Sequence, residues 1–259
     1  MIPPELAEYA ESPGVYSLWP PGFTRILTER YCLVLGPQPF FTEVMQARLD
    51  DAVEETVAEI RRLVSEHGHS KAKWWLGESA TPRDLHDRLT ALGLQAPEDS
   101  VAELVALATV TETSAGPADV DVRRVDSLEL HAAAFGVMWD AFDAPVWRRE
   151  ADRRLLEESF RTEQEHGTTV TFVALLDGRA VGSGRAAYCE RGGLLFDGST
   201  LPDARGRGAY RALVRARWDE AVRRGVPALV TQAAPASEPI LRRLGFEEVC
   251  TLRRLEDPL

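Results

Sequence analysis

The chain runs to 259 residues, 44% of them hydrophobic, which is enough for a buried core and too long for one ordinary domain of about 100–150 residues. Its 41 acidic against 30 basic side chains give a net charge of −11, a balance that speaks against non-specific binding to nucleic acid or to an anionic membrane. Cys32, Cys189 and Cys250 are far apart and odd in number, so neither a disulfide framework nor a metal site is expected. With no basic-then-apolar leader and no run of about 18 apolar residues, the sequence reads as a reduced, cytoplasmic protein.

In chain order, the patterning predicts strands at 25–35 and 40–48, a helix at 51–67, a strand at 72–76, a helix at 82–92 and a strand at 102–110. The small, polar segment 113–119, with its Gly116-Pro117 pair, reads as a linker between units 1–112 and 119–259. Beyond it come a short strand at 119–126 and helices at 128–139 and 151–165. A meander of strands follows at 169–176, 180–189 and 193–200, separated by glycine-containing turns. Tyr210, Leu213, Val214, Trp218, Ala221 and Val222 then fall at helical spacing over 209–224, with Gly225 and Pro227 as the stop. A strand at 228–233, a short helix opened by Ser237 as N-cap and closed at Gly245, and a strand at 246–252 complete a mixed α/β order. The first unit's order, β-β-α-β-α-β, repeats the second half of the second unit. Leu89-Thr90-Ala91-Leu92-Gly93-Leu94 also echoes Leu241-Arg242-Arg243-Leu244-Gly245-Phe246, so a degenerate half-repeat is predicted.

One segment runs from a strand through a glycine-rich loop into a long helix. Its loop is Thr200-Leu201-Pro202-Asp203-Ala204-Arg205-Gly206-Arg207-Gly208-Ala209-Tyr210. A helix N-terminus offers unpaired N–H groups and the positive end of the macrodipole, and glycines let an anion approach them. Arginines add charge that forks onto phosphate oxygens, so the segment forms a cradle sized for a pyrophosphate. A glycine-rich turn with solvated arginines is the other reading of the same residues. The loop lacks the GKS or GKT ending of a P-loop, and it follows a meander rather than opening a βαβ dinucleotide unit. The matching stretch of the first unit, Arg48-Leu49-Asp50-Asp51-Ala52-Val53-Glu54-Glu55, has no glycine and four carboxylates, which would repel a pyrophosphate.

Pro202, Arg205 and Gly208, followed by Leu241-Arg242-Arg243-Leu244-Gly245-Phe246, resemble motif A and the LYEKLGF segment of the GNAT family of N-acetyltransferases. The resemblance covers residues 119–259. It implies a GNAT-like acyl-CoA N-acyltransferase fold: a central, mostly antiparallel sheet with a splayed strand pair, preceded here by a smaller degenerate GNAT-like domain. It also implies acetyl-CoA as cosubstrate, no metal, and direct attack of a primary amine in a ternary complex. The acceptor would be a small molecule or a peptide. Carried over, it sets a pyrophosphate on the backbone of Arg205, Gly206, Arg207, Gly208, Ala209 and Tyr210. The pantetheine arm would pair beside Ser199, Thr200 and Leu201, where Pro202 ends the strand and helps its parallel neighbour splay away. Ser237 joins the cofactor-binding set. Two positions depart from the family pattern. Tyr210 stands where glycine or alanine is usual, and Leu241 where a tyrosine often protonates the leaving thiolate.

Acetyl transfer to an amine needs a sink for the amine's proton. Asp197 and Tyr188 are the candidate bases beside the expected pantetheine strand. For Asp197 the plain alternative is a carboxylate satisfied at a strand bulge beside Gly198. Trp139 and Phe142 offer an apolar funnel for the acceptor, with Asp140 and Asp143 to attract its charge; aromatic packing under a helix corner explains the same residues. His67 and His69 lack a third ligand, and Cys189 reads as a strand residue. The first unit is left with packing, pocket-shaping or a homodimer contact as its roles. A non-catalytic acyl-CoA-binding regulatory module remains the alternative function, motivated by Leu241.

Overall fold

A computed structural model of the chain describes residues 1–97 and 102–259. The first part contains α1 (Pro4–Glu11), α2 (Pro13–Tyr16), β1 (Thr24–Leu27), β2 (Cys32–Leu35), β3 (Thr42–Met45), α3 (Val53–Glu66), β4 (Lys71–Leu76), α4 (Leu85–Ala91) and β5 (Glu103–Thr109). The second contains β6 (Asp121–Arg124), α5 (Leu128–Ala141), α6 (Val146–His166), β7 (Thr169–Leu176), β8 (Arg179–Cys189) and β9 (Gly192–Thr200). It continues with α7 (Ala209–Arg223), β10 (Leu229–Ala233), α8 (Glu238–Arg243) and β11 (Glu247–Pro258).

These strands form one 11-stranded sheet in the order β1-β2-β3-β4-β11-β5-β10-β9-β8-β7-β6. The two ends of the order are meanders; its middle is an exchange. β5 leaves the first part and lies between β10 and β11, antiparallel to both, while β11 pairs antiparallel with β4 over Arg253↔Leu76 to Pro258↔Lys71. The last strand therefore runs to Pro258, past its expected end at 252, because β4 supplies a second partner. The linker around Gly116-Pro117 parts the chain in sequence while the sheet stays continuous.

Alternation along β7 assigns its two faces. Val170, Phe172, Ala174 and Leu176 pack with Leu213 and Val214 of α7, and Val173 and Leu175 pack with Ala134 of α5 on the opposite face. In the first part, Val53, Val57, Ile60 and Val64 of α3 cover Leu33, Val44 and Trp74. Helices α1 and α2 had no counterpart among the predicted elements. Leu6, Tyr9 and Ala10 of α1 cover the exchanged centre, against Ala106 of β5, Val230 of β10 and Leu252 of β11.

Two further differences have local causes. The single strand expected at 25–35 is a hairpin, because Thr28 Oγ1 accepts from the N–H groups of Arg30 and Tyr31 at 3.1 and 3.0 Å and turns the chain. Helix α6 starts at Val146, ahead of the expected 151, because Pro145 sits at its N-cap with extended backbone. Among the described residues, no helix is long and apolar enough to cross a membrane.

Candidate functional site

The site begins with one irregularity in β9. Its register with β8 shifts between Ser183↔Ser199 and Arg185↔Phe196, so Asp197 and Gly198 together face Gly184. Asp197 takes φ +51°, a left-handed conformation that aspartate tolerates better than most side chains. A Cβ on Gly184 would lie 3.0 Å from the Arg217 guanidinium packed against it, so any larger residue there would displace that side chain.

The bulge turns β9 away from β10. Their parallel pairing covers Leu229↔Gly193, Val230↔Leu194 and Thr231↔Leu195, then ends. The splay therefore starts at the bulge and not at Pro202, the residue expected to help open it. Leu201 N–H donates to Val181 O at 2.9 Å, so backbone alternation turns Gly198 C=O and Thr200 N–H into the gap. A cleft of about 1080 Å³ occupies that gap and runs to the start of α7.

At the far end, Pro202–Ala204 makes one 3₁₀ turn, and Gly206 (φ +78°) and Gly208 (φ +83°) lead into α7. A Cβ on Gly206 would meet nothing within 4 Å, so the backbone there is open to a ligand. A Cβ on Gly208 would lie 2.5 Å from Pro117 Cγ; the linker is thus packed against the loop and braces it. Asp203, the acid of this loop, is drawn off by Arg179 at 2.7 Å. Arg205, Arg207, Arg211 and Arg243 line the cleft; Arg207 approaches Asp119 at 3.6 Å. Arg205 has no ionic partner among the described residues. The cleft thus has a cationic end at a helix N-terminus, suited to an anion.

At the other end, Asp197 and Phe196 face Phe142 and Ala141 from α5, and the first part of the chain contributes Pro13 and Leu104. Behind Asp197, Arg185 reaches its carboxylate at 3.5 Å and Glu163 at 2.7 Å. Burial opposes the Arg185 charge, but Glu163 and Asp197 outweigh it and hold the guanidinium firmly protonated.

The structure brings most of the expected cofactor residues together. Ser199, Thr200, Arg205, Gly206, Arg207, Gly208, Ala209, Tyr210 and Ser237 all line the cleft. Tyr210 lies partly buried against the core beneath the bulge, with Cε2 3.0 Å from where a Gly198 Cβ would be, and burial pushes its phenol up. Leu201 is a correction: its N–H is spent on Val181, its C=O accepts from Ala204 N at 3.0 Å, and its side chain packs on the core. Ser237 does not cap α8; its hydroxyl donates to Ala234 O at 3.1 Å.

Tyr188 is the clearest correction among the catalytic candidates. It is buried, its hydroxyl donates to Arg217 O at 3.0 Å, and burial pushes its phenol well above the ordinary range. A side chain so placed reaches no substrate. Of the four acceptor candidates, Phe142 lines the cleft. Trp139 points into the helix corner, its Nε1 donating to Asp152 at 2.9 Å. Asp140 is paired with Arg149 at 2.7 Å, and Asp143 stands exposed outside the cleft. Sequence reasoning missed Arg185, Glu163 and Arg217. An arginine inside the small-residue strand Gly182-Ser183-Gly184-Arg185-Ala186 was a usable signal; Glu163, in a helix rich in acids, carried none.

Residues 131–246 match the model of the acetyltransferase (GNAT) family. The chain carries a GNAT domain. The whole chain also follows GNAT proteins in fold. A GCN5-related N-acetyltransferase from Kribbella flavida superposes with TM-score 0.72 at 18% identity, over 98% of this chain and 96% of that one. A tandem GNAT protein from the clavulanic acid biosynthesis pathway gives 0.62 at 14% identity, over 99% and 88%. A functionally unknown conserved protein from Staphylococcus epidermidis gives 0.67 at 12%, over 93% and 96%. No curated protein matches the chain by sequence. The GNAT fold of mixed α/β type, read from the motifs, is thereby established, and the tandem relative agrees with a repeated first half.

Proposed function

We propose that the protein is an acetyl-CoA-dependent N-acetyltransferase acting on a primary amine. The observation that carries this reading is the gap between β9 and β10, with Gly198 C=O and Thr200 N–H turned into it from one side and the N-terminus of α7 at its end. A pantetheine arm carries amide groups that pair as a strand would, and Gly198 and Thr200 offer one acceptor and one donor to it. Gly206, Gly208 and the first N–H groups of α7 would take the pyrophosphate. On this reading residues 119–259 form the transferase domain, and residues 1–112 a degenerate GNAT-like domain without a cofactor site.

The acceptor enters at the Asp197 end, where the bound thioester carbonyl would lie within reach of the amine. The amine nitrogen forms a bond to the carbonyl carbon, the carbon–sulfur bond breaks, and the thiolate leaves. Asp197, directly or through one water, takes a proton from the arriving ammonium before attack, and the second proton, lost from nitrogen once the new bond has formed, passes through water to the departing sulfur. Leu241 is 1% exposed and donates no proton, so the thiolate leaves unaided or is protonated from water.

Acetyl-CoA should raise the melting temperature of the full chain, and thiol release should appear with a member of a primary-amine panel. Stabilisation without turnover by any amine would support instead an acyl-CoA-binding regulatory module, the reading that the buried Leu241 favours. No stabilisation at all would remove both.

A further inference from the structure

Glu163 is buried for a reason that packing does not supply. Helix α6 is largely charged, and it buries Asp152 and Glu163. Asp152 has the Trp139 indole and Arg148 as partners. Glu163 is 6% exposed, and its two carboxylate oxygens accept from Thr171 Oγ1 at 3.1 and 2.8 Å. One edge of Arg185 donates to the same carboxylate at 2.7 Å, and the other reaches Asp197 at 3.5 Å. The guanidinium carbon lies 5.0 Å from the centroid of Phe196 and 5.6 Å from that of Phe135, within cation–π reach of both rings. His131, fully buried between Phe135 and Phe160, closes the far side; burial pushes its imidazole down, so it adds no charge at neutral pH.

A buried ion pair is a poor device for stability, since apolar side chains of the same volume do as well or better. Fixed direction is what such a pair provides. Thr171 orients Glu163, Glu163 orients Arg185, and Arg185 meets Asp197, the one member of the chain that lines the cleft. Two carboxylates on one guanidinium also leave one net negative charge, facing the end where an ammonium would arrive. Without Glu163, Arg185 would close on Asp197 alone, neutralise it and draw it toward β8.

We infer that Glu163, acting through Arg185, is a positioning residue that holds the Asp197 carboxylate toward the acceptor amine. The inference rests on the reading that Asp197 receives the amine's proton. Its test uses the full chain, thiol release from acetyl-CoA with the amine that the panel selects, and the variants Glu163→Gln, Glu163→Asp, Thr171→Val and Asp197→Asn. Glu163→Gln should lower kcat by about tenfold or more while KM for acetyl-CoA stays within about twofold. Glu163→Asp should recover part of the loss. Glu163→Gln added to Asp197→Asn should cost nothing further, because both act through one carboxylate. Native kcat in Glu163→Gln, or an additive loss in the double variant, would overturn the inference. If Asp197→Asn is impaired and Glu163→Gln is not, this inference fails and the proposed base survives. A fully active Asp197→Asn ends both. Should Glu163→Gln fail to fold, Thr171→Val makes the same comparison: a lower kcat at constant KM for acetyl-CoA is expected, and an unchanged kcat overturns it.

Discussion

The two halves of the sheet contain the same structural sentence with opposite endings. In β9, parallel pairing stops at Leu195, Asp197 follows at φ +51°, and the strand parts from β10. In β3, parallel pairing stops at Val44, Gln46 follows at φ +54°, and the strand parts from β4. Both irregularities fall two residues after the last pair. In the second half the opening becomes a cleft. In the first, the chain fills it: Thr81 N–H donates to Ala47 O at 2.9 Å, and Leu49 N–H donates to Thr81 O at 2.9 Å. Ala47 and Leu49 stand where Gly198 and Thr200 stand in β9, so a segment of the protein occupies the position left for a ligand in the other half. The left-handed residue after the last parallel pair is present in both halves; the glycine loop and the unfilled backbone edge are present in one.

The most severe way to break this comparison is to separate the halves. Residues 119–259 alone lack β5, which lies between β10 and β11, so two long strand edges would be exposed. That fragment should lose fixed tertiary structure, read as loss of near-ultraviolet circular dichroism and of a cooperative melt. A folded, acetyl-CoA-binding fragment would show the exchange to be dispensable. Next comes Gly206→Asp, which imports the acidic character of the first half's loop at a position with free space and positive φ. Acetyl-CoA affinity by calorimetry should fall by about tenfold or more, ~1.4 kcal/mol or above, with only a small change in melting temperature.

Smaller effects sharpen the picture of each half. Both halves hold a buried histidine, His69 with Thr42 Oγ1 at 2.6 Å from Nδ1, and His131 without a hydrogen-bond partner among the described residues. Burial lowers the folded-state value of His131 below the ordinary one of about 6.5. The unfolded chain therefore binds the proton first, so stability is full above about pH 6.5 and is lost as pH falls through the folded value. Denaturant melts at pH 7 and pH 5 should show this loss, and His131→Phe should flatten it. Least disruptive is Tyr188→Phe, which removes the bond to Arg217 O and should cost about 1 kcal/mol, or about 2–4 °C in melting temperature. Its kcat should equal that of the native protein, since the side chain lies outside the cleft.

The sequence carried the parts of this site that depend on local chemistry. Gly206 and Gly208 announce backbone positions with positive φ, and the stripe from Tyr210 to Val222 announces the helix behind them. It did not carry contacts set by which strand lies beside which. Asp197 was legible as an acid near the pantetheine strand; its guanidinium partner, and Glu163 beyond it, come from other elements that fold onto it. Tyr188 failed as a base for the same reason: alternation along β8 fixes which face it joins, and α7 covers that face. Phe142 and Trp139 lie close in sequence on one helix corner, yet one faces the cleft and the other the Asp152 carboxylate. The exchange of β5 and β11 had no sequence mark, because it consists of backbone pairing between strands far apart in the chain, which neither strand's own pattern of side chains records.

That exchange sets an order of events during synthesis. β4 gains its second neighbour only when residues 247–258 are available, and β5, made long before, waits for both β10 and β11. The first half cannot be completed until the ribosome has finished the second. The growing chain must carry an open sheet edge for most of its translation, a period of exposure to aggregation and to chaperones. Closure then depends on contacts distant in sequence, which form slowly. Fast or crowded expression should therefore tax this protein more than its final stability would indicate.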